Sequence, residues 1–336
     1  MLHNKHILIT GGAGFIGSNF IHYFLNKYTN YRIVNLDKLT YAGNIKNLES
    51  IHNRNNYLFI KGDICDFTLV DRIFNQYNIN AIIHFAAESH VDNSIKNPLN
   101  FIETNVLGTS ILLDVARKYW ENKISDNISN YRFHHISTDE VYGSLGETGY
   151  FTENSPYAPN SPYSTSKAAS DMIARSYNKT YDMNITISNS SNNYGPRQHT
   201  EKLIPTIIRS TLENIDIPIY GNGMNIRDWL YIDDHCNAID LIFHHGKKGE
   251  TYNIGGDNEQ NNLSLANTIC ELLDKIYPKT NNISYKEQIK FVADRPGHDY
   301  RYAIDCSKIK KDLGWSSSNN FLENLMKTIK YYLEIY

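Results

Sequence analysis

"HILITGGAGFIGSN", His6 to Asn19, decides the fold. Residues 6–10 are a short apolar run that reads as a strand, and "FIGSNFIHYFLNKY" (15–28) has the apolar spacing of a helix. Between them Gly12-x-Gly14-x-x-Gly17 fits the dinucleotide fingerprint, and Gly11-x-x-Gly14-x-x-Gly17 fits its shifted variant. The early glycines permit a tight turn, and a missing Cβ lets a pyrophosphate approach the backbone. The last glycine lets helix pack on strand, and the helix N-terminus faces the phosphates. Alone the motif is weak. Here it joins the first strand to the first helix, and Asp37 ends the next strand, "RIVNLD" (32–37), about twenty residues on. A carboxylate there binds the adenosine ribose hydroxyls and repels a 2′-phosphate, so NAD is expected over NADP. Lys38, beside it, works against that preference. Asp63, ending "FIKGD", stands where the adenine could lie, or is a strand-end turn residue.

The pattern repeats outward from this loop. "NYLFIKGD" (56–63), "AIIHFAAE" (81–88), "YRFHHIST" (131–138) and "NITISNSS" (184–191) read as strands, and 66–77, 98–120 and 163–181 as helices. This alternation predicts right-handed βαβ units on a parallel sheet. The second half is less regular. A helix is expected over 203–214, short strands with a glycine turn within 217–234, and a helix with an Asp N-cap over 233–245. A strand at 250–256 and an amphipathic helix at 263–277 follow. The expected fold is α/β: a Rossmann-type doubly wound parallel sheet with a smaller, interleaved C-terminal substrate domain. Residues 1–191 would form the NAD-binding domain, with about 228–256 returning to it. Residues 192–227 and 257–336 would form the substrate domain.

The chain has 336 residues, 41% of them hydrophobic, enough for a sizeable core. Lys and Arg number 33 against 36 Asp and Glu, a net charge of −3, which gives no reason to expect a nucleic-acid partner. Any anionic ligand needs a local cluster of cations. Cys65, Cys236, Cys270 and Cys306 are scattered without metal-type spacing, as expected of reduced thiols in a cytoplasmic protein. No signal-peptide pattern is read at the N-terminus, and no apolar run is long enough for a bilayer, so no membrane association is expected. His84 and His90 lack partners at ligand spacing and are expected to be structural, with no metal.

Two further stretches carry chemistry. "NSPYSTSKAASDMIARSY" (160–177) starts with Ser-Pro, a helix-start signal, and then sets Tyr163 and Lys167 one turn apart on one face. An ammonium there would lower the pKa of the phenol, which could then take a proton from a sugar hydroxyl. "HHISTDEVYGS" (134–144) places Asp139 and Glu140 side by side where a core strand ends. They are either a solvated turn pair or two acids with two tasks in one cleft.

Taken with "LDKLTYAGN", "FAAESHVDNSI", "STDEVYG", "YSTSKAASD", "SNNYGPRQ", "EKLIP", "IYGNGMNIRDWLYIDDH" and "DRPGHDYRYAID", the chain resembles the extended short-chain dehydrogenase/reductase family over nearly its whole length. Within it the adjacent acids of "TDEVYG" resemble those of the nucleotide-sugar 4,6-dehydratases. The resemblance implies that Tyr163 deprotonates the 4-hydroxyl of a hexose while NAD takes hydride from C4. Glu140 then removes the C5 proton, Asp139 protonates the leaving 6-hydroxyl, and hydride returns to C6. Mutual repulsion between the acids is expected to keep one of them protonated. Thr138 is implied beside Tyr163 at the 4-hydroxyl, completing a catalytic set with Lys167.

The resemblance also implies cofactor contacts from Gly11, Gly14, Phe15, Ile16 and Gly17, and from Asp37, Lys38, Leu39 and Thr40. Asp63, Ile64, Ala86, Ala87, Ser89, Thr104 and Asn193, with Tyr163 and Lys167, complete that set. For a nucleoside-diphosphate sugar it implies Ser89, Thr138, Asn192, Lys202 and Leu203, then Pro218, Ile219 and Tyr220, then Arg227 and Asn262, and finally Asp294, Arg295 and His298. Arg227, Arg295 and His298 would supply the positive charge that a diphosphate requires. The implied substrate is dTDP-glucose, in deoxysugar synthesis of the dTDP-rhamnose type. The alternatives are UDP-glucose, a UDP-sugar 4-epimerase and a non-catalytic NAD-binding sensor. Two positions depart from the family pattern. Ser190 stands where cysteine is expected, a change read as packing only, and Arg197 stands where an aromatic is common and could add a phosphate contact. A homodimer through the helices at about 98–120 and 163–181 is also implied.

Overall fold

The computed structural model describes residues 5–123, 131–294 and 296–336. Its first strand, β1 (Lys5–Thr10), shows the principle of the whole. Ile7, Leu8 and Ile9 are all fully buried, Ile7 and Ile9 in the core under one face of the sheet and Leu8 in the core under the other. A strand covered on both faces cannot alternate apolar with polar, which is the mark of a parallel sheet between helix layers. Each such side chain contributes about 1.5–3 kcal/mol through burial.

The sheet is completed by β2 (Tyr31–Asp37), β3 (Tyr57–Lys61), β4 (Ile79–His84), β5 (Arg132–Thr138) and β6 (Ile185–Ser190). The helices between them are α1 (Phe15–Lys27), α2 (Phe67–Tyr77), α3 (Val91–Lys96), α4 (Pro98–Phe101), α5 (Thr109–Glu121) and α6 (Pro162–Tyr181). The second half contributes β7 (Asn192–Tyr194), α7 (Leu203–Leu212), β8 (Ile217–Tyr220), β9 (Ile226–Tyr231), α8 (Ile232–His245) and β10 (Thr251–Ile254). It ends with β11 (Glu259–Asn261), α9 (Asn262–Ile276), β12 (Ile289–Val292), α10 (Ser307–Leu313) and α11 (Phe321–Ile335).

Seven strands form one sheet in the order β10-β6-β5-β4-β1-β2-β3, every neighbouring pair parallel. The fold is the expected Rossmann-type α/β sheet. Strand order reverses between β1 and β4, and the crevice beyond their C-terminal ends is where such sheets bind ligands. The chain leaves this sheet after β6, builds β7, β8 and β9, returns through α8 and β10, and leaves again. β9 lies in a small sheet with β7 and β11, and β8 pairs with β12, all outside the seven-stranded sheet; of these strands β7 lines the crevice, through Asn192 and Asn193.

Three details differ from the sequence reading. Residues 85–88 leave the sheet after β4, and Ala86 comes close under Gly11. The expected helix over 98–120 is divided into α4, a π-helical segment Ile102–Gly108, and α5. Thr109 and Ser110 hydroxyls donate to the Asn105 and Val106 carbonyls, while the Asn105 side chain is held by Glu88 and Ser166. This wind, absent from any apolar periodicity, sets Thr104 on the crevice wall. Finally, α8 has Tyr231 and not an aspartate at its N-cap. Asp233 and Asp234 lie in its first turn, where they still face the positive end of the helix dipole.

Candidate active site

The dinucleotide end is built from the glycine loop. Gly11 has φ +71, and a Cβ there would fall 2.5 Å from Ala86 N; a Cβ on Gly17 would fall 2.4 Å from Gly11 O. Only glycine permits this packing of helix on strand. At Gly14, the N-cap of α1, a Cβ would have only Gly11 O within 4 Å, at 3.3 Å. The backbone is therefore open toward the crevice above the first-turn amides of α1, the cradle that a pyrophosphate needs. Phe15 and Ile16 line it, as do Thr40, Ile64, Ala86, Ala87 and Thr104.

Asp37 sits at the end of β2 on the crevice wall. Its Oδ2 accepts from Ala13 N at 2.8 Å and its Oδ1 from Leu39 N at 2.8 Å. Burial pushes its carboxyl up, and these two amides pull it back. Lys38 does not compete for a 2′-phosphate, because its ammonium pairs with Asp63 at 2.6 Å. These residues fit NAD. Leu39 packs against the apolar core instead of lining the crevice.

The reacting end follows from how β5 stops. Thr138 is extended, and its hydroxyl accepts from Glu140 N at 3.3 Å, so the chain turns at once into the 3-10 helix Asp139–Tyr142. Adjacent acids then share one wall of the crevice instead of pointing to opposite faces of a strand. Asp139 is 1% exposed, and its carboxyl is pushed well above the usual range. Burial is the main cause, the Glu140 and Asp228 charges add to it, and Arg227 opposes it. Repulsion from Glu140 is thus the second cause of the rise at Asp139, after burial, whereas the sequence pointed to mutual repulsion.

α6 supplies Tyr163 and Lys167. Ser161 caps it, exchanging hydrogen bonds with Ser164, with Pro162 in the first turn. The Lys167 ammonium donates to Ile136 O at 2.8 Å, and burial lowers it to about 8. The Tyr163 phenol is pushed well up by burial and by Glu140, while its hydrogen bond with Thr138 pulls it down. The expected lowering by Lys167 is not what sets this phenol: burial and the Glu140 charge raise it instead.

Ser89, Asn192, Asn193 and Lys202 line the other side of the crevice, and Lys202 Nζ donates to Ser89 O at 3.1 Å, joining segments over a hundred residues apart. Glu88, Gln198, His199 and Glu201 also line it. The sequence reading missed them because loop residues carry no periodicity; their only signal was adjacency to Ser89 and Lys202. Ser190 does more than pack, since its hydroxyl accepts from Asn193 Nδ2 at 3.3 Å. Arg197 does not face a phosphate site: its guanidinium donates to Asn19 Oδ1 at 2.7 Å, tying the loop after β7 to α1. His84 is buried between the Thr10 and Thr109 hydroxyls, and His90 caps α3.

The remaining implied substrate contacts lie on β8, β9, the start of α9 and the segment after β12. Pro218, Ile219 and Tyr220 are on β8, and Asp294 follows β12, which pairs with it. His298 Nδ1 lies 2.6 Å from Asp294 Oδ1, with its ring edge-on to Tyr220. Asn262 opens α9 nearby, and its amide donates to Asn225 O. Arg227 is buried over the Tyr302 ring, 4.3 Å from its centroid, and donates to the carbonyls of Ile226, Asp299 and Tyr300. Ile219 and Leu203 belong to the apolar core, and Arg295 lies outside the described residues.

The family model for GDP-mannose 4,6 dehydratase matches residues 8–328. The chain belongs to this family. It is 53% identical to the dTDP-glucose 4,6-dehydratase of Salmonella typhimurium over 97% of this chain and 92% of that one. It is 50% identical to that of Neisseria gonorrhoeae over 98% and 96%. The crystal structure of the Bacillus anthracis dTDP-glucose 4,6-dehydratase, in complex with NAD, superposes with a TM-score of 0.87 at 45% identity, over 98% of this chain and 97% of that one. A UDP-glucose 4-epimerase of Thermotoga maritima also shares the fold, with a TM-score of 0.85 at 27% identity over 98% and 99%.

Proposed function

We propose that this chain is a hydro-lyase that converts dTDP-glucose to dTDP-4-keto-6-deoxyglucose and water. The observation that carries the reading is the acid pair: a buried Asp139, its carboxyl pushed up by burial, beside Glu140 on the crevice wall that also holds Tyr163 and the glycine cradle. When bound, NAD supplies the acceptor for the electron pair of the C4–H bond, the donor that returns it at C6, and a positive ring charge that favours phenolate. Thr138 and Tyr163 hold the 4-hydroxyl, and Tyr163 takes its proton. Lys167 fixes the charge behind the phenol. The resulting ketone acidifies C5–H, whose proton Glu140 accepts. Asp139 gives its proton to the 6-hydroxyl, which leaves as water. An epimerase would have no use for this acid pair, and the relatives near half identity carry the dehydratase name.

The cluster of Tyr220, Asn262, Asp294 and His298, with Arg227, is proposed to take the nucleoside diphosphate. Lys202 and Asn192, on the crevice wall, are proposed to reach the diphosphate from the sugar side. Deoxysugar synthesis of the dTDP-rhamnose type, in the cytoplasm, is the proposed setting, which suits four cysteines without disulfides. No described helix is long and apolar enough to cross a membrane. A homodimer is supported by Leu99, Ile102, Leu107 and Met172, exposed apolar residues on α4, the π segment and α6.

The test is to incubate the holoenzyme with dTDP-glucose or UDP-glucose in deuterated water and follow the sugar by proton NMR. A C6 methyl signal with deuterium at C5, formed from dTDP-glucose without consumption of added NAD, is expected. A C4-inverted hexose with intact C6 would overturn the reading, and faster turnover of UDP-glucose would move the nucleotide assignment.

A further inference from the structure

Two turns from distant parts of the chain touch at the rim of the crevice. The first follows β2. Gly43 N donates to Thr40 O at 3.1 Å, which puts Tyr41 and Ala42 at the tip of a tight turn. Its two ends are anchored: Leu39 N donates to Asp37 Oδ1 at 2.8 Å, and Asn44 N to Ala13 O at 3.0 Å. Thr40, Ala42 and Gly43 line the crevice. The second turn follows β7. Lys202 N donates to His199 O at 3.1 Å, and the residue before it is held by Gln198 Nε2 to Asn193 O at 2.8 Å and by Tyr332 Oη to Gln198 O at 2.6 Å. Gln198, His199, Glu201 and Lys202 line the crevice from this side.

The rings of Tyr41 and His199 meet edge to face, at 90° with centroids 5.7 Å apart. That is a favoured geometry for aromatic pairs. The second turn also reaches the segment after β4: Lys202 Nζ donates to Ser89 O at 3.1 Å, and His90 Nε2 lies 3.7 Å from Glu201 Oε2. The space these segments border is continuous, from Asp37 and Gly14 at one end to Asp139, Glu140 and Tyr163 at the other. Tyr41 is 40% exposed, so core packing does not account for its place. The mechanism above has no task for Tyr41 or His199.

We propose that the Tyr41–His199 pair is a latch that holds NAD in the crevice. The turns after β2 and β7 must part, and the two rings lose contact, before the cofactor leaves. The reaction gives the latch a use. Hydride taken from C4 has to return to C6 from the same cofactor, and NADH lost in between would strand a 4-keto sugar. The use rests on the hydride return proposed above, but the test does not.

The holoenzyme is loaded with radiolabelled NAD and mixed with excess unlabelled NAD, with no sugar present. Label remaining on the protein is followed through time by rapid gel filtration. Tyr41→Ala and His199→Ala should each release NAD about fivefold faster than the parent. The double variant should be no faster than either single one, because one contact is lost in all three. His199→Phe keeps a ring edge and should release NAD at the parent's rate. Parental rates in both alanine variants overturn the proposal. So does a double variant about twenty-fivefold faster than the parent, since the two rings would then act separately. A His199→Phe variant as fast as His199→Ala also overturns it, because the imidazole and not the ring contact would be at work. Should Tyr41→Ala fail to fold, the two His199 variants decide the matter. A C4-inverted hexose in the NMR experiment would sink the reaction and leave the latch, whereas unaltered release would sink the latch and leave the reaction.

Discussion

Burial pushes the Asp139 carboxyl well above the range of an exposed aspartate. Its folded pKa lies above its unfolded value, so the stability of its neutral form is fully present below the unfolded pKa and is lost as pH rises through the folded one. Asp139→Asn removes that loss. In differential scanning fluorimetry the variant should melt above the parent at pH 9, with the gap closing toward pH 4; an unchanged gap across that range would overturn this reading. Turnover should fall at the same time, because an amide has no proton to give the 6-hydroxyl. Glu140→Gln should leave oxidation at C4 intact but slow loss of water by roughly 10²–10⁴-fold. A 4-keto sugar with an unreacted C6 and no deuterium at C5, seen by NMR, is its signature. Tyr163→Phe should stop even the first oxidation. At this scale the sequence named the acids and the Tyr–Lys pair, but not their charges. Charge state depends on burial and on Asp228 and Arg227, residues about ninety positions away that only folding brings near Asp139.

Each of the elements that carry these side chains ends where local chemistry dictates. The α6 helix starts at a Ser161–Ser164 capping box with Pro162 in its first turn, all readable from "NSPYS". The α1 helix starts at glycines for a different reason, contact between backbones. A Cβ at Gly17 would meet Gly11 O at 2.4 Å and Gly12 Cα at 2.8 Å, and neither atom can move aside without disturbing the loop. Gly17→Ala should therefore cost about 1–3 kcal/mol. The purified variant should also retain less NAD, measured by absorbance after acid release; full retention would show that the loop yields more easily than this contact allows. The π segment Ile102–Gly108 was not legible. It arises from hydrogen bonds of Asn105 to Glu88 and Ser166 on other elements, which no window of the sequence contains.

Across the whole molecule, the crevice draws on segments far apart in the chain, and the chain leaves the seven-stranded sheet twice, once after β6 and again after β10. Lys202 bonding Ser89, and Arg197 bonding Asn19, are both contacts between distant segments of the chain. The outer face of α4–α6 carries Leu99 at 78% exposure and Met172 at 56%, large apolar groups that a second copy would cover. Leu99→Asp with Met172→Asp should convert a particle of twice the 38.7 kDa chain mass to one of that mass, by light scattering. The NAD crevice should remain loaded, since neither residue lines it. Unchanged mass would place the dimer contact, if one forms, elsewhere.

The sequence by itself determined the parallel sheet, the glycine cradle with Asp37, and the identities of Thr138, Asp139, Glu140, Tyr163 and Lys167. Each of these is written in local spacing: apolar runs, a glycine motif, a four-residue helical step, adjacent acids. Only the tertiary structure decided that Asp139 is buried, that Lys38 pairs with Asp63, that Arg197 braces α1, and that the Ser137 and Tyr157 hydroxyls hold Asp171. The reason is physical: burial and charge coupling depend on distances through space, and a linear chain specifies those only after it has folded.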